Sequence, residues 1–230
     1  MNNIPLPRAQ ALISLSALSH NIEALGLERI DVSADAFGHG VESVVSHFRA
    51  QGMSAFSCGR DSEVSALKGL FSDVDVVQLK IDHEQAIATY GLSRSANVSL
   101  RPVMTLSSRV IAVKSIAAGG GVSYGYTWIA ENDGFLALVG LGYADGFDRA
   151  WGNRIHGHVY GRAYPAVGRV AMDAHTIFTG DDKLSVGDDV TYFGELAERT
   201  VYASELASSV GGSALAIPTN LGSRIARIVS

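Results

Sequence analysis

The side chains able to do chemistry in this chain fall where strands give way to turns. In "RIDVSADAFGHGVESVVSHF" the run from Ile30 to Val32 reads as the end of a buried strand, with Ser33 at its mouth. Gly38-His39-Gly40 then breaks the chain before helical spacing begins near Val41. Strand mouths are where α/β enzymes hold catalytic groups, but a serine there is a weak nucleophile unless a base activates it. Ser33 lacks a nucleophile-elbow pattern, and His39 between glycines suits a structural role better than Ser-His chemistry. Of Lys68, Lys80, Lys114 and Lys183, only Lys80, closing "VVQLK", falls on the same sheet edge as Ser33, where a solvated strand-end lysine is the ordinary outcome. His156 and His158 share one face of a strand, yet no third ligand stands near them, so no metal site is expected. Gly119-Gly120-Gly121 has no helix after it and reads as a β-turn rather than a phosphate loop.

Elements that could position these groups come in two textures. "RIDVSA", "MSAFSCG" and "VDVVQLK" are strand-like, and each is followed by a helical segment: "VESVVSHFRAQ", "RDSEVSALKGL" and "HEQAIATYGL". Such alternation predicts a parallel βα sheet. Before it lie a short apolar run, "ALISL", and a Ser-capped helix over "SALSHNIEAL". The pattern stops at Leu92, and "SRSANVS" reads as a linker. From Leu100 onward, "RVIAVKSIA", "FLALVGLGYAD", "HVYGRAYPAVGRV", "HTIFTG" and "DDVTYFGE" are short strands between glycine-rich turns, with one helical segment, "YASELASSV". They predict an antiparallel β-barrel or sandwich. The fold class expected is therefore α/β plus all-β, with a βα segment over 1–99 and a β domain over 100–230.

Composition narrows the function classes. The 230 residues are 47% hydrophobic and 18% charged, enough to bury a core. A net charge of −5 gives no reason to expect nucleic acid or an anionic membrane as a partner. Cys58 is the single cysteine, which excludes an internal disulfide and fits a reducing compartment. The opening "MNNIPLPRAQ" has neither the basic nor the apolar region of a signal peptide, and no apolar run reaches the ~18 residues of a membrane span. A cytoplasmic protein is the expectation.

Five ordered stretches, "VSADAFGHG", "LRPVMTLSSRVIAVKSIAAGGGVSYGYTW", "LVGLGYADGF", "YPAVGRVAMDAHTI" and "NLGSRIARI", resemble the alanine racemase family. The resemblance implies a pyridoxal-phosphate (PLP) enzyme of fold-type III, with a TIM-like barrel before a β domain. It makes Tyr124 the catalytic base for one face of the substrate. Met172 and Asp173 become residues lining the substrate carboxylate, and Tyr143 an entrance residue. In the family these four reach across a head-to-tail dimer into the partner's barrel.

Departures from the family pattern fall on the cofactor side. Ser33 stands where the family has the lysine that holds PLP as an imine and exchanges the α-proton, and a hydroxyl does neither at neutral pH. Phe37 replaces a phosphate-holding tyrosine, and Leu215 falls at the position of a second. A closed (β/α)8 barrel takes about 250 residues and eight strands, whereas 1–99 supplies three or four. The strands that would carry the cofactor-ring arginine, the substrate-side arginine and the remaining phosphate loop are absent from the pattern. Two readings result. In one the chain is a degenerate racemase relative, binding PLP weakly or not at all, that pairs with itself or with a full-length racemase. In the other it is an active PLP-dependent amino-acid racemase using Lys80 or a site shared with a partner. An open three-strand sheet with an uncovered apolar face is expected to favour self-association.

Overall fold

The computed structural model describes residues 9–230; "MNNIPLPR", which begins the stretch read for a signal peptide, lies outside them. The first part runs β1 (Ala9–Ile13), α1 (Leu15–Leu25), β2 (Ile30–Asp31), α2 (Ser33–Gly38), α3 (Val41–Ala50), β3 (Ala55–Cys58), α4 (Asp61–Leu70), β4 (Asp75–Gln78) and α5 (His83–Thr89). Ser14 caps α1 by accepting from the Ala17 amide, and Gly26 ends it in the left-handed conformation. Asp82 caps α5 through the amides of Glu84 and Gln85. Strands β2, β3 and β4 pair in parallel in that order, as the alternation predicts.

Ile30, Phe56 and Val76 stand in register and are buried. The opposite face is not the uncovered apolar surface expected. Its register is Asp31, Ser57 and Val77, two of them polar, with Ser57 buried and the others half-buried. β2 and β4 each have one neighbouring strand among the described residues, so both sheet edges stay open.

The second part comprises β5 (Met104–Ile116), β6 (Gly121–Val122), β7 (Trp128–Ile129), β8 (Gly134–Val139), β9 (His156–Val159), β10 (Arg162–Val167), β11 (His175–Gly180), β12 (Asp189–Glu195), β13 (Thr200–Val201), α6 (Ala203–Val210), α7 (Ala216–Thr219) and β14 (Ala226–Val229). Pairing runs β12-β9-β10-β11-β8-β5, and β12 also pairs with β5, which closes these strands into a barrel. Bulges at Val110/Ala112 and Thr191/Phe193 supply the bends that closure needs. The glycine run behaves as a turn: the amide of Gly119 donates to Ala130 O, and the amide of Ala130 donates to Gly120 O.

β1 does not join the parallel sheet. It pairs antiparallel with β5 and parallel with β14, so the first strand among the described residues lies in the second sheet. The segment linking the two textures is fastened by Asn21, whose buried amide group donates to Thr89 O and Arg101 O and accepts from the Arg101 amide. Gly91 passes so close to the Arg101 carbonyl that no Cβ fits there. Among the described residues no helix is long and apolar enough to cross a membrane.

Candidate functional site

The mouth of β2 opens on a cleft of about 820 Å³ lined by Ser33, Gly59, Arg60, Glu63, Lys80 and Asp82. The Ser33 side chain is committed within it: its Oγ donates to Asp31 Oδ1 at 2.5 Å and accepts from the Gly59 amide at 2.8 Å. α2 is a single left-handed turn, with Ala34, Asp35, Ala36 and Phe37 at φ 50–60°. L-residues pay roughly 1–2 kcal/mol each for this conformation, and the turn is held by side chains. Glu63 accepts from the Ala34 amide and Asp35 from the Val41 amide.

Phe37 is buried edge-on to Tyr90, whose hydroxyl donates to Asp31 O. His39 lies over the same Tyr90 ring, its Nδ1–H shared between Ala36 O and Phe37 O. Burial pulls the His39 ring down to about 4, so it is neutral at pH 7. Gly38 packs on the Pro218 carbonyl, which sets the end of α2 against α7; Leu215, buried, immediately precedes α7. Serine, phenylalanine and leucine at 33, 37 and 215 offer neither an amine nor a phenolic donor. These positions do not fit a cofactor held by an imine and tyrosine hydroxyls. Lys80 is the one amine on the cleft among the described residues.

Tyr124, Tyr143, Met172 and Asp173 come together in a different cleft, of about 390 Å³, in the β domain. Tyr124 is 83% exposed on a loop where Ser123 and Tyr126 take φ 65° and 44°. Ser123 Oγ anchors that loop by donating to Arg169 O. The amides of Tyr143 and Ala144 donate to Ala171 O and Met172 O, and Gly142 lies against the Met172 carbonyl with no room for a side chain. Asp173 lies in the bend that the Ala171 amide closes by donating to Ala174 O. It pairs with Arg224 at 2.5 Å, and Arg224 also reaches the buried Asp145 at 3.2 Å.

Behind the cleft, His175 Nδ1–H donates to Leu141 O and the Tyr192 hydroxyl donates to His175 Nε2 at 2.6 Å. Phe147 stacks on the same imidazole. Burial lowers His175 to about 4 and raises Tyr192 well above the ordinary phenol range. Both remain neutral, which this hydrogen-bond polarity requires.

A family model for the alanine racemase C-terminal domain matches residues 103–229, more than half of the chain. The chain belongs to the alanine racemase family. An alanine racemase of Mycobacterium tuberculosis is 42% identical over 146 residues, covering 61% of this chain and 38% of that protein. One of Corynebacterium efficiens is 39% identical over 137 residues, covering 58% and 37%. The chain thus spans under two-fifths of the length of the curated relatives it matches. Among solved structures, alanine racemase from Streptomyces coelicolor A3(2) superposes with a TM-score of 0.84 at 21% identity, covering 97% of this chain and 98% of that one. The biosynthetic enzyme of Pseudomonas aeruginosa superposes with 0.83 at 19%, covering 98% and 100%. At those identities the likeness concerns the fold.

As a member of this family, the chain keeps its β-domain cleft together and separates it from the Ser33 cleft, with no described residue lining both. Sequence reasoning missed Arg149 and Arg169, which line the β-domain cleft, and the Arg224 bridge and His175–Tyr192 pair that brace it. Arg224 meets Asp173 across 51 positions and Tyr192 meets His175 across 17, and no local spacing signals either contact. His156 and His158 do share a cavity, of about 260 Å³, with Arg199 and Glu205. Among the described residues no group of three or more ligating side chains could hold a metal.

Proposed function

We propose that this chain is a catalytically silent racemase relative whose β domain supplies half of an amino-acid racemase site to the barrel of a complete racemase. The observation carrying this reading is Ser33. The strand end that needs an amine holds a hydroxyl already engaged by Asp31 and Gly59, so the cofactor half has no imine-forming group at that position. The three-stranded parallel sheet is taken as a shortened barrel, with its boundary to the β domain at 99/100. Tyr124, Tyr143, Met172 and Asp173, gathered in one exposed cleft, support the β-domain half of the proposal. In a mixed dimer Tyr124 would move the substrate's α-proton on one face, while Met172 and Asp173 would orient the carboxylate. PLP, held by the complete partner, would supply the electron sink.

The experiment has two arms. The purified chain is incubated with PLP, its visible spectrum is recorded, and the product is reduced with borohydride and mapped; the expectation is no adduct. The chain is then mixed with a complete racemase whose own tyrosine base has been changed to phenylalanine. Alanine racemisation should return, and should fail to return with Tyr124→Phe in this chain. No return with the wild-type chain sinks the in-trans role. One observation favours a second reading, an active PLP enzyme: Lys80 lines the same cleft as Ser33. A reduced adduct on Lys80 would establish that reading instead.

A further inference from the structure

The cavity of about 260 Å³ between β9, the β12–β13 hairpin and α6 shares no lining residue with the Ser33 cleft or the Tyr124 cleft. His158 lines it and is only 7% exposed. Its Nδ1 is fully covered and bonds to nothing, and its Nε2 has no partner among the described residues either. Buried polar groups ordinarily find a partner. The other two buried imidazoles each have one, His39 at Ala36 O and His175 at Leu141 O. An imidazole that lines a cavity and makes no bond within the chain is an open position for a ligand.

Two charges of opposite sign share this cavity. Arg199 Nη2 and Glu205 Oε2 are 3.6 Å apart, the longest ion pair among the described residues, and no hydrogen bond joins them. Each is held from behind. The Leu196 amide donates to Arg199 O in the hairpin, and Glu205 Oε1 accepts from the Tyr202 amide at 2.9 Å. Ile155, Val201 and Leu206, all buried, give the cavity apolar walls. Burial first, and then the Arg199 charge, hold the His158 ring below its ordinary value, so it is neutral at pH 7. A neutral imidazole has one donor and one acceptor nitrogen, and the loose pair beside it adds one charge of each sign. These groups sit on a strand, a hairpin and a helix that are already fixed, which lowers the ordering cost of a ligand that bridges them.

We propose that the His158–Arg199–Glu205 cavity binds a small zwitterionic α-amino acid with a short apolar side chain. An ammonium and a carboxylate carried on one carbon match two opposite charges 3.6 Å apart. The ligand's carboxylate meets Arg199, whose planar fork suits it, and its ammonium meets Glu205. A simple anion or cation satisfies one member of the pair and leaves the other facing a like charge or none. The open nitrogen of His158 bonds the same polar end, and the side chain packs on Ile155, Val201 and Leu206. A metal ion is disfavoured, since no group of three ligating side chains gathers among the described residues. The site requires neither PLP nor a second protein, and Tyr124, Tyr143, Met172 and Asp173 are not among its residues.

The test is titration of the full chain, carrying isotope-labelled histidine, with L-valine while the His158 ring signals are followed by NMR. Those signals should shift with saturation. Arg199→Gln and Glu205→Gln should each weaken binding about tenfold. Glu205→Gln keeps an oxygen for the Tyr202 amide, so α6 keeps its cap. Ala163→Leu, exposed and in register with His158, fills the cavity without changing charge and should abolish binding. Arg162→Gln, which removes a cation paired elsewhere with Asp182, should bind as wild type does. Circular dichroism checks that each variant folds. A His158 signal unmoved by L-valine overturns the proposal, even if signals near Tyr124 move, because the amino acid then sits in the other cleft. An affinity unchanged in both charge variants overturns it as well. Acetate or ethylamine binding as tightly as L-valine overturns the zwitterion assignment.

Discussion

An amine and a hydroxyl at the end of β2 differ by few atoms, but only the amine forms an imine, and the Ser33 hydroxyl spends its bonds on Asp31 and Gly59. Two other buried side chains give the molecule a pH signature. His39 and His175 titrate at about 4 in the folded chain, against about 6.5 for an exposed imidazole, because burial disfavours the charged ring. The unfolded chain therefore binds these protons at higher pH than the folded one. Stability is fully present above about pH 6.5 and is lost as pH falls toward 4, by about 3 kcal/mol for each ring over the full range. Urea denaturation at steps between pH 7.5 and roughly 4.5 should show the midpoint falling, and replacing His175 by glutamine should flatten part of that slope. A midpoint constant across this interval would contradict the account.

At the scale of elements, the contact between α2 and α7 and the tie from α1 to the linker hold the two textures of the chain together. Gly38 sits at φ 82° against the Pro218 carbonyl, so Gly38→Ala adds backbone strain and a collision with main chain. Gly187, at φ 100° with open space around it, would meet only the strain. The expected losses are about 3 kcal/mol or more for Gly38→Ala and about 1 kcal/mol for Gly187→Ala, measured by chemical denaturation. Equal losses would mean that the α2–α7 contact contributes nothing. Asn21→Ala leaves two carbonyls and an amide without their partners, and should cost about 2–4 kcal/mol by the same measurement.

At the scale of the whole molecule, exposed apolar surface and open strand edges argue for association. Tyr124, Tyr126, Tyr143 and Met172 are all exposed in and around the β-domain cleft. β2 and β4 each leave one edge unpaired among the described residues. Equilibrium sedimentation of the purified chain should find a dimer or larger species, and Tyr124→Ser with Tyr126→Ser should shift it toward monomer. A monomer at high concentration would count against both the exposed cleft and the open edges as association surfaces.

Much of the fold and half of the site were legible along the chain. The β-α alternation from Ile30 to Thr89, the strands after Met104, and the family membership carried by "GVSYGYTW", "GRVAMDAH" and their neighbours all rest on local order: periodicity, turn residues and motif spacing. The hydroxyl of Ser33 at the mouth of β2 was equally visible, because it is a fact of one position. What only the tertiary structure decided depends on contacts between distant residues. These contacts put β1 beside β5 and β14, and the Ser57 face of the parallel sheet carries polar groups in register. They join Arg224 to Asp173 and His175 to Tyr192, and gather His158, Arg199 and Glu205 round one cavity. No periodicity encodes such meetings, since they depend on how sheets and loops close in space rather than on which residues are neighbours in sequence.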